Sequence, residues 1–324
     1  MATGALVSQL ALWPFLRRYT RIVRIELRDC LVHLRPLIAL FIPVVAVSIY
    51  TTLNKVMLGS MTSVSQVGQF DTAVKMMGIP LGLITALGIV MLPRMSNIIA
   101  NKDKTKMNDY IKRSMEFVMF ISLPIAFGLL AIAGTLVSLF LGKEYAQAGL
   151  VLAIVSPIVV FAAWANVLRT QFLIPTGRNK AYIISVVIGA FVSVGLNILL
   201  IPMFKSSGTA IAMVTAELFV VLYQTLALRK NLDMKSYLKS SQSFLIKSLI
   251  MFSIVLAIGF AIEAPLLRVT VQLLVGGGIY ALLNLEYIDK TILNGKMKHP
   301  AWSKLLIAKK RLYAESNNIN SDGY

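Results

Sequence analysis

Eight apolar stretches, each about as long as a bilayer is thick, exclude nearly every positive charge, and the lysines and arginines fall into alternate gaps between them. The stretches lie near residues 37–57, 67–92, 115–141, 147–173, 181–201, 208–228, 245–263 and 266–286. In lipid the backbone of such a run satisfies its own polar groups only as a helix, so the chain reads as an all-α polytopic membrane protein of about eight transmembrane helices. The gaps at 1–36, around 93–113, 169–180 and 229–247, together with the tail from Tyr287, hold 27 of the 32 Lys and Arg residues. The opposite gaps hold only Lys143, Lys205 and Arg268, while Lys55 and Lys75 lie inside expected helices. The positive-inside bias then places the charged gaps and both termini on the cytoplasmic side of the cell membrane.

A formal charge of +18 would point to nucleic acid in a soluble protein, but here the charge flanks membrane segments and no basic region stands free of them. No nucleic-acid partner is expected. The single cysteine, Cys30, excludes an intrachain disulfide, and two histidines, His33 and His299, are too few for an imidazole relay or metal cluster. No phosphate loop, aqueous carboxylate pair or Ser–His arrangement marks an active site, so neither an enzyme nor a cofactor is expected.

Five segments follow from this pattern. They are a basic cytoplasmic segment (1–36), a six-helix lobe (37–228), a cytoplasmic loop (229–244), a terminal helix pair (245–286) and a cytoplasmic tail (287–324), which is a six-plus-two arrangement. The apolar start, Met1 to Trp13, is too short to span and reads as the end of a helix whose beginning is missing; a short interfacial helix is the alternative. The polar end, Glu315 to Tyr324, reads as disordered. Prolines at Pro43, Pro80, Pro124 and Pro157 remove backbone donors and should bend their helices.

Ionisable groups at membrane depth face a bundle interior or a wet cavity, because lipid penalises them by several kcal/mol. Four qualify: Lys55, Asp71, Lys75 and Glu217. On the helix at 67–92, Gly68, Asp71, Lys75, Gly78, Gly82 and Thr85 follow helical spacing along one stripe, which suits close approach of a substrate. An Asp71–Lys75 ion pair at i, i+4 is the structural alternative. Glu217 stands about ten residues into its helix, where a carboxylate could couple to an ion or stay protonated and hold two helices together. Asn166, Arg169 and Gln171 gather toward the inner end of one helix, and Asn197 shares a face with Gly189 and Ser193. These polar groups could line the same cavity or act as interhelical glue.

These residues sit in longer patterns. LRPLIALFIPVVAVSIYTTLNKVMLG (34–59), VGQFDTAVKMMGIP (67–80), VMLPRMSNIIANKD (90–103), QFLIPTGRNKAY (171–182) and LNILLIPMF (196–204) occur in order. Together they resemble Wzx-type flippases of the multidrug, oligosaccharidyl-lipid and polysaccharide exporter superfamily, over most of 34–230. Asn54–Lys55 stands where that family commonly has an acidic residue followed by a basic one, which leaves the acidic role open here. The resemblance implies the second of two six-helix lobes plus a terminal pair, with most of the first lobe absent. It implies flipping of undecaprenyl-diphosphate-linked oligosaccharide for capsule, exopolysaccharide or O-antigen assembly. Asn54, Lys55, Asp71, Lys75 and Arg169 would line the substrate cavity, and Glu217 would be the ion-coupling candidate. The bilayer, a separate first-lobe chain and polysaccharide-assembly proteins are the implied partners. Alternatives are a multidrug antiporter or peptidoglycan-precursor flippase of the same superfamily and, in another class, a membrane-embedded polysaccharide polymerase or glycosyltransferase.

Overall fold

Apolar runs joined by short turns can satisfy every backbone amide in lipid only as helices, and helices fill the computed structural model, which describes residues 27–291. In order they are α1 (Leu27–Met61), α2 (Val64–Ala100), α3 (Lys104–Leu141), α4 (Ala146–Val155), α5 (Ile158–Leu168), α6 (Asn179–Leu228), α7 (Met234–Ala261), α8 (Pro265–Leu283) and the short α9 (Leu285–Thr291). A 3-10 turn (Lys143–Tyr145) enters α4, and a π turn (Arg169–Leu173) ends α5. Among the described residues α2, α3, α6, α7 and α8 are long and apolar enough to cross a membrane, and α4 with α5, bent by 43° at the break between them, brings the number to six if the pair counts as one span. The readings of Met1 to Trp13 and of Glu315 to Tyr324 lie outside the described residues.

The chain divides after Val44 into two units. The first is helical over its described part, 27–44. From Val45 onward the helices enclose a core centred on the bent α4–α5 pair, where Val151, Leu152, Val155, Val159, Leu168 and Leu173 are buried. Pro157 sits at the bend, as its missing amide requires. Helices α2, α3 and α6 pack around this pair. Glycine allows backbone to approach backbone here: a Cβ on Gly149 of α4 would stand 2.9 Å from the Gly134 Cα of α3.

Helix α6 has 50 residues, about 75 Å if straight, more than twice the thickness of a hydrocarbon core. It is broken at Lys205 (φ 51°, ψ −128°) into arms 179–204 and 206–228. The arms lie antiparallel: Gln224 Nε2 donates to Ser185 Oγ at 2.9 Å, and a Cβ on Gly208 would stand 2.3 Å from the Leu200 carbonyl oxygen. They correspond to the two helices expected at 181–201 and 208–228.

Helices α7 and α8 pack on each other and on α3. An aromatic cluster marks the contact. Phe120 lies 5.5 Å from the Tyr280 ring and 4.9 Å from that of Tyr287, and the Tyr280 hydroxyl donates to the Phe120 carbonyl at 2.9 Å. Such ring pairs contribute about 0.5–1.5 kcal/mol each beyond their buried area.

One expected boundary moves. The loop expected over 229–244 is mostly helix, since α7 starts at Met234 with Asp233 as its cap, accepting from the Ser236 amide at 3.2 Å. The stretch is polar by composition, yet Tyr237, Ser241 and Phe244 recur at helical spacing and are buried.

At the opposite end of the bundle, amide side chains tie the connections together. Gln69 accepts from the Ala148 amide at 2.9 Å and donates to the Glu144 carbonyl at 2.8 Å. Gln66 accepts from the Ser206 amide at 3.3 Å, and Gln147 donates to Ser207 Oγ at 2.9 Å. The bonds made by Gln69 and Gln66 engage backbone groups at helix ends, where the helix leaves them without an internal partner.

Candidate functional site

Three of the expected site residues meet. Lys55 near the end of α1 and Lys75 on α2 both bond Asp71, one to each carboxylate oxygen; the Lys75 contact measures 2.7 Å. Asp71 and Lys75 are one helical turn apart, and Lys55 reaches across from the neighbouring helix. Two ammonium groups therefore share one carboxylate, and one positive charge remains uncompensated within the triad. The site is open: the Lys75 side chain is 76% exposed, against 23% for Asp71. Asp71 lies seven residues into α2, so the triad sits about 10 Å from the helix end and not at its middle. The Asp71–Lys75 ion pair, the structural alternative on sequence grounds, is formed, and Lys75 stays largely exposed beside it.

Asn54 turns the other way. Consecutive helical residues point about 100° apart, and Asn54 is buried against the first arm of α6. Its Oδ1 accepts from Ser193 Oγ at 2.8 Å and from Asn197 Nδ2 at 2.7 Å. Asn54 is thus part of a neutral interhelical cluster, and Ser193 and Asn197 act as the glue their shared face had suggested.

Arg169 is not in the triad either. It lies on the π turn, where Pro175 offers no amide to the Gln171 carbonyl and the Ile174 amide bonds instead to the Arg169 carbonyl at 2.9 Å. Its guanidinium donates to Asn166 Oδ1 at 2.9 Å and lies over the Tyr182 ring at 5.5 Å. Asn166 in turn donates to the Ile84 carbonyl at 3.1 Å, and only a glycine at 88 leaves it room. Ile84 is 13 residues past Asp71, about 20 Å along α2. Beside this group, Gln171 is fully buried with neither side-chain amide atom bonded to protein. Glu217 is half-buried on the second arm of α6.

An apolar groove of about 340 Å³ runs between α3, α7 and α8, lined by Ile125, Leu129, Ile132, Val255, Leu273 and Gly276 among others. Its apolar lining suits a hydrocarbon chain.

The profile of the polysaccharide biosynthesis protein family matches residues 2–150. A protein of Shigella dysenteriae named "Putative O-antigen transporter" is 25% identical over 212 residues, which cover 65% of this chain and 52% of the relative. Its namesake in Escherichia coli K12 is 27% identical over 192 residues, 59% of this chain and 46% of the relative. The fold matches that of the lipid II flippase MurJ in its inward closed conformation with a TM-score of 0.69 and 18% identity, over 84% of this chain and 57% of that one. The chain is thus similar in sequence to these transporters over part of their length, and its fold is that of the lipid II flippase MurJ. It is a multi-pass membrane protein, and it spans about half the length of the curated relatives it matches. The triad, on the paired ends of α1 and α2, is an exposed charged site, and the glutamine network lies at the same end. Its signal in the sequence was weak: Gln66 and Gln69 three residues apart, beside connections almost without charge.

Proposed function

We propose that this chain belongs to the exporter superfamily and forms one lobe of a flippase that carries undecaprenyl-diphosphate-linked oligosaccharide across the cytoplasmic membrane, opposite a second helical lobe. The triad is the observation that carries this reading. Its surplus positive charge, exposed on Lys75 and close to a membrane surface, suits the diphosphate of a lipid-linked sugar, because charge-assisted bonds to phosphate are among the strongest a side chain makes. A carrier of cationic drugs would instead expose a carboxylate, and Asp71 is covered by two lysines. The groove between α3, α7 and α8 suits the polyprenyl tail. Glu217 is the residue we assign to ion coupling, which Glu217→Gln tests by keeping shape while removing titration.

Alternating access needs two bodies that move against each other. In a flippase-deficient strain, this chain expressed with a matching first lobe should restore surface polysaccharide, whereas the chain alone should not. Full rescue by the chain alone would overturn the one-lobe reading, and export of a lipid-linked peptidoglycan precursor by the pair would change the cargo.

A further inference from the structure

Far from the triad, at the other end of α2, three connections converge on a cavity of about 450 Å³. They join α2 to α3, the π turn to α6, and α6 to α7. Lys102, Lys104, Arg178 and Lys230 all line it, one or two from each connection. Among the described residues none of the four forms an ion pair with a carboxylate. Asp103 is the one acid in the lining, and it is already committed: its Oδ1 accepts from the Lys106 amide at 3.0 Å and its Oδ2 pairs with Lys106 Nζ at 3.1 Å. Those bonds hold its carboxyl below the usual carboxylate range.

Arg178 is fixed in place. Its Nη1 donates to Asn231 Oδ1 at 2.5 Å, and its guanidinium lies 5.4 Å from the centre of the Phe172 ring. Positioned in this way, it keeps a planar fork of further donors that matches a phosphate. The remaining wall is apolar, with Ile99, Met107 and Phe172.

We propose that this cavity binds the phosphodiester headgroup of an anionic membrane phospholipid, with Arg178 as its fork-like partner and Lys102, Lys104 and Lys230 around it. An unpaired group of cations calls for an anion, and the apolar wall at the ends of membrane helices calls for one attached to a hydrocarbon chain. Inorganic phosphate would leave that wall uncovered. The site shares no residue with the triad, about 40 Å away along α2, so it stands whether or not the transport reading holds. A lipid bound there ties the ends of α2, α3, α6 and α7 to one another.

The test uses the purified full chain in neutral detergent and a fluorescent phosphatidylglycerol as probe. Each basic side chain near an anionic surface contributes roughly fivefold in affinity, so Arg178→Ala with Lys230→Ala should weaken binding about thirtyfold. Lys102→Gln with Lys230→Gln, which leaves the Arg178–Asn231 bond intact, should weaken it to a similar extent and carries the test if the first variant misfolds. Lys235→Ala with Lys239→Ala removes the same charge from exposed positions nearby and should change binding less than about twofold. Equal losses in the control and the cavity variants would mean diffuse surface attraction and would overturn the site. Equal binding of fluorescent phosphatidylcholine, or full displacement of the probe by millimolar inorganic phosphate, would overturn the assignment to an anionic lipid.

Discussion

Asn54 and Lys55 are neighbours in the chain with opposite environments. Asn54 is buried among Ser193 and Asn197, and every bond there is neutral. Lys55 belongs to an open cluster of three charges on the next helix face. One rotation along α1 thus separates a contact that holds helices together from a cluster of charges that is partly exposed. The difference teaches that polar residues in these helices cannot be assigned to a cavity by depth alone. What decides is which helix lies across from them, and whether the groups they meet leave charge over.

The largest expected effect tests the open side of this comparison. In a complete two-lobe transporter, Lys75→Ala should lower export tenfold or more at unchanged abundance, because Asp71 keeps Lys55 as its partner and no charge is stranded. Lys75→Arg should retain part of the activity. Export at the unmutated level from an Asp71→Asn, Lys75→Met double variant would remove the triad from substrate binding.

On the buried side, Asn54→Ala strands the Ser193 hydroxyl and one Asn197 donor, and should lower stability by about 1 kcal/mol. The unfolding midpoint in detergent and the membrane abundance should both fall, while export per folded molecule stays unchanged. A drop in export with unchanged stability would place Asn54 beside the substrate after all.

A smaller effect is expected for Asp71→Asn. Its two lysines are then left side by side, but on an open face, so stability should fall by less than about 1 kcal/mol. Thermal unfolding beside Asn54→Ala ranks the two. Smallest of all is the response to salt. At about 1 M, where screening acts within about 3 Å, the stability gap between Asp71→Asn and the unmutated chain should shrink, and the gap for Asn54→Ala should not. A salt-sensitive Asn54 gap would mean that the buried cluster contains a charge.

Hydropathy made the all-helical, multi-pass character legible because lipid forces the link between an apolar run and a helix. It placed helix ends short, as at α3, which begins at Lys104 where the apolar run begins near 115. Hydrogen bonding continues past the hydrocarbon boundary, and hydropathy does not measure it. Pro157 announced the bend in the central pair, and the gap between the apolar stretches at 201 and 208 announced the break in α6, but not that the single residue Lys205 would make the turn. In the site, the i, i+4 spacing made Asp71–Lys75 legible. The reach of Lys55 to the same carboxylate, the burial of Asn54 and the distance of Arg169 from the triad depend on which helices touch, and that is decided by packing over long sequence separation.

The turn at Lys205 has a mechanical consequence. Two helical arms joined through one non-helical residue have no slack between them. Neither can slide lengthwise past the other without unwinding a turn, and the near-contact of Gly208 with the Leu200 carbonyl stops one from rolling over the other. A push on one arm is therefore delivered to the other almost undiminished, so α6 behaves as a stiff double beam rather than as two rods on a loose cord.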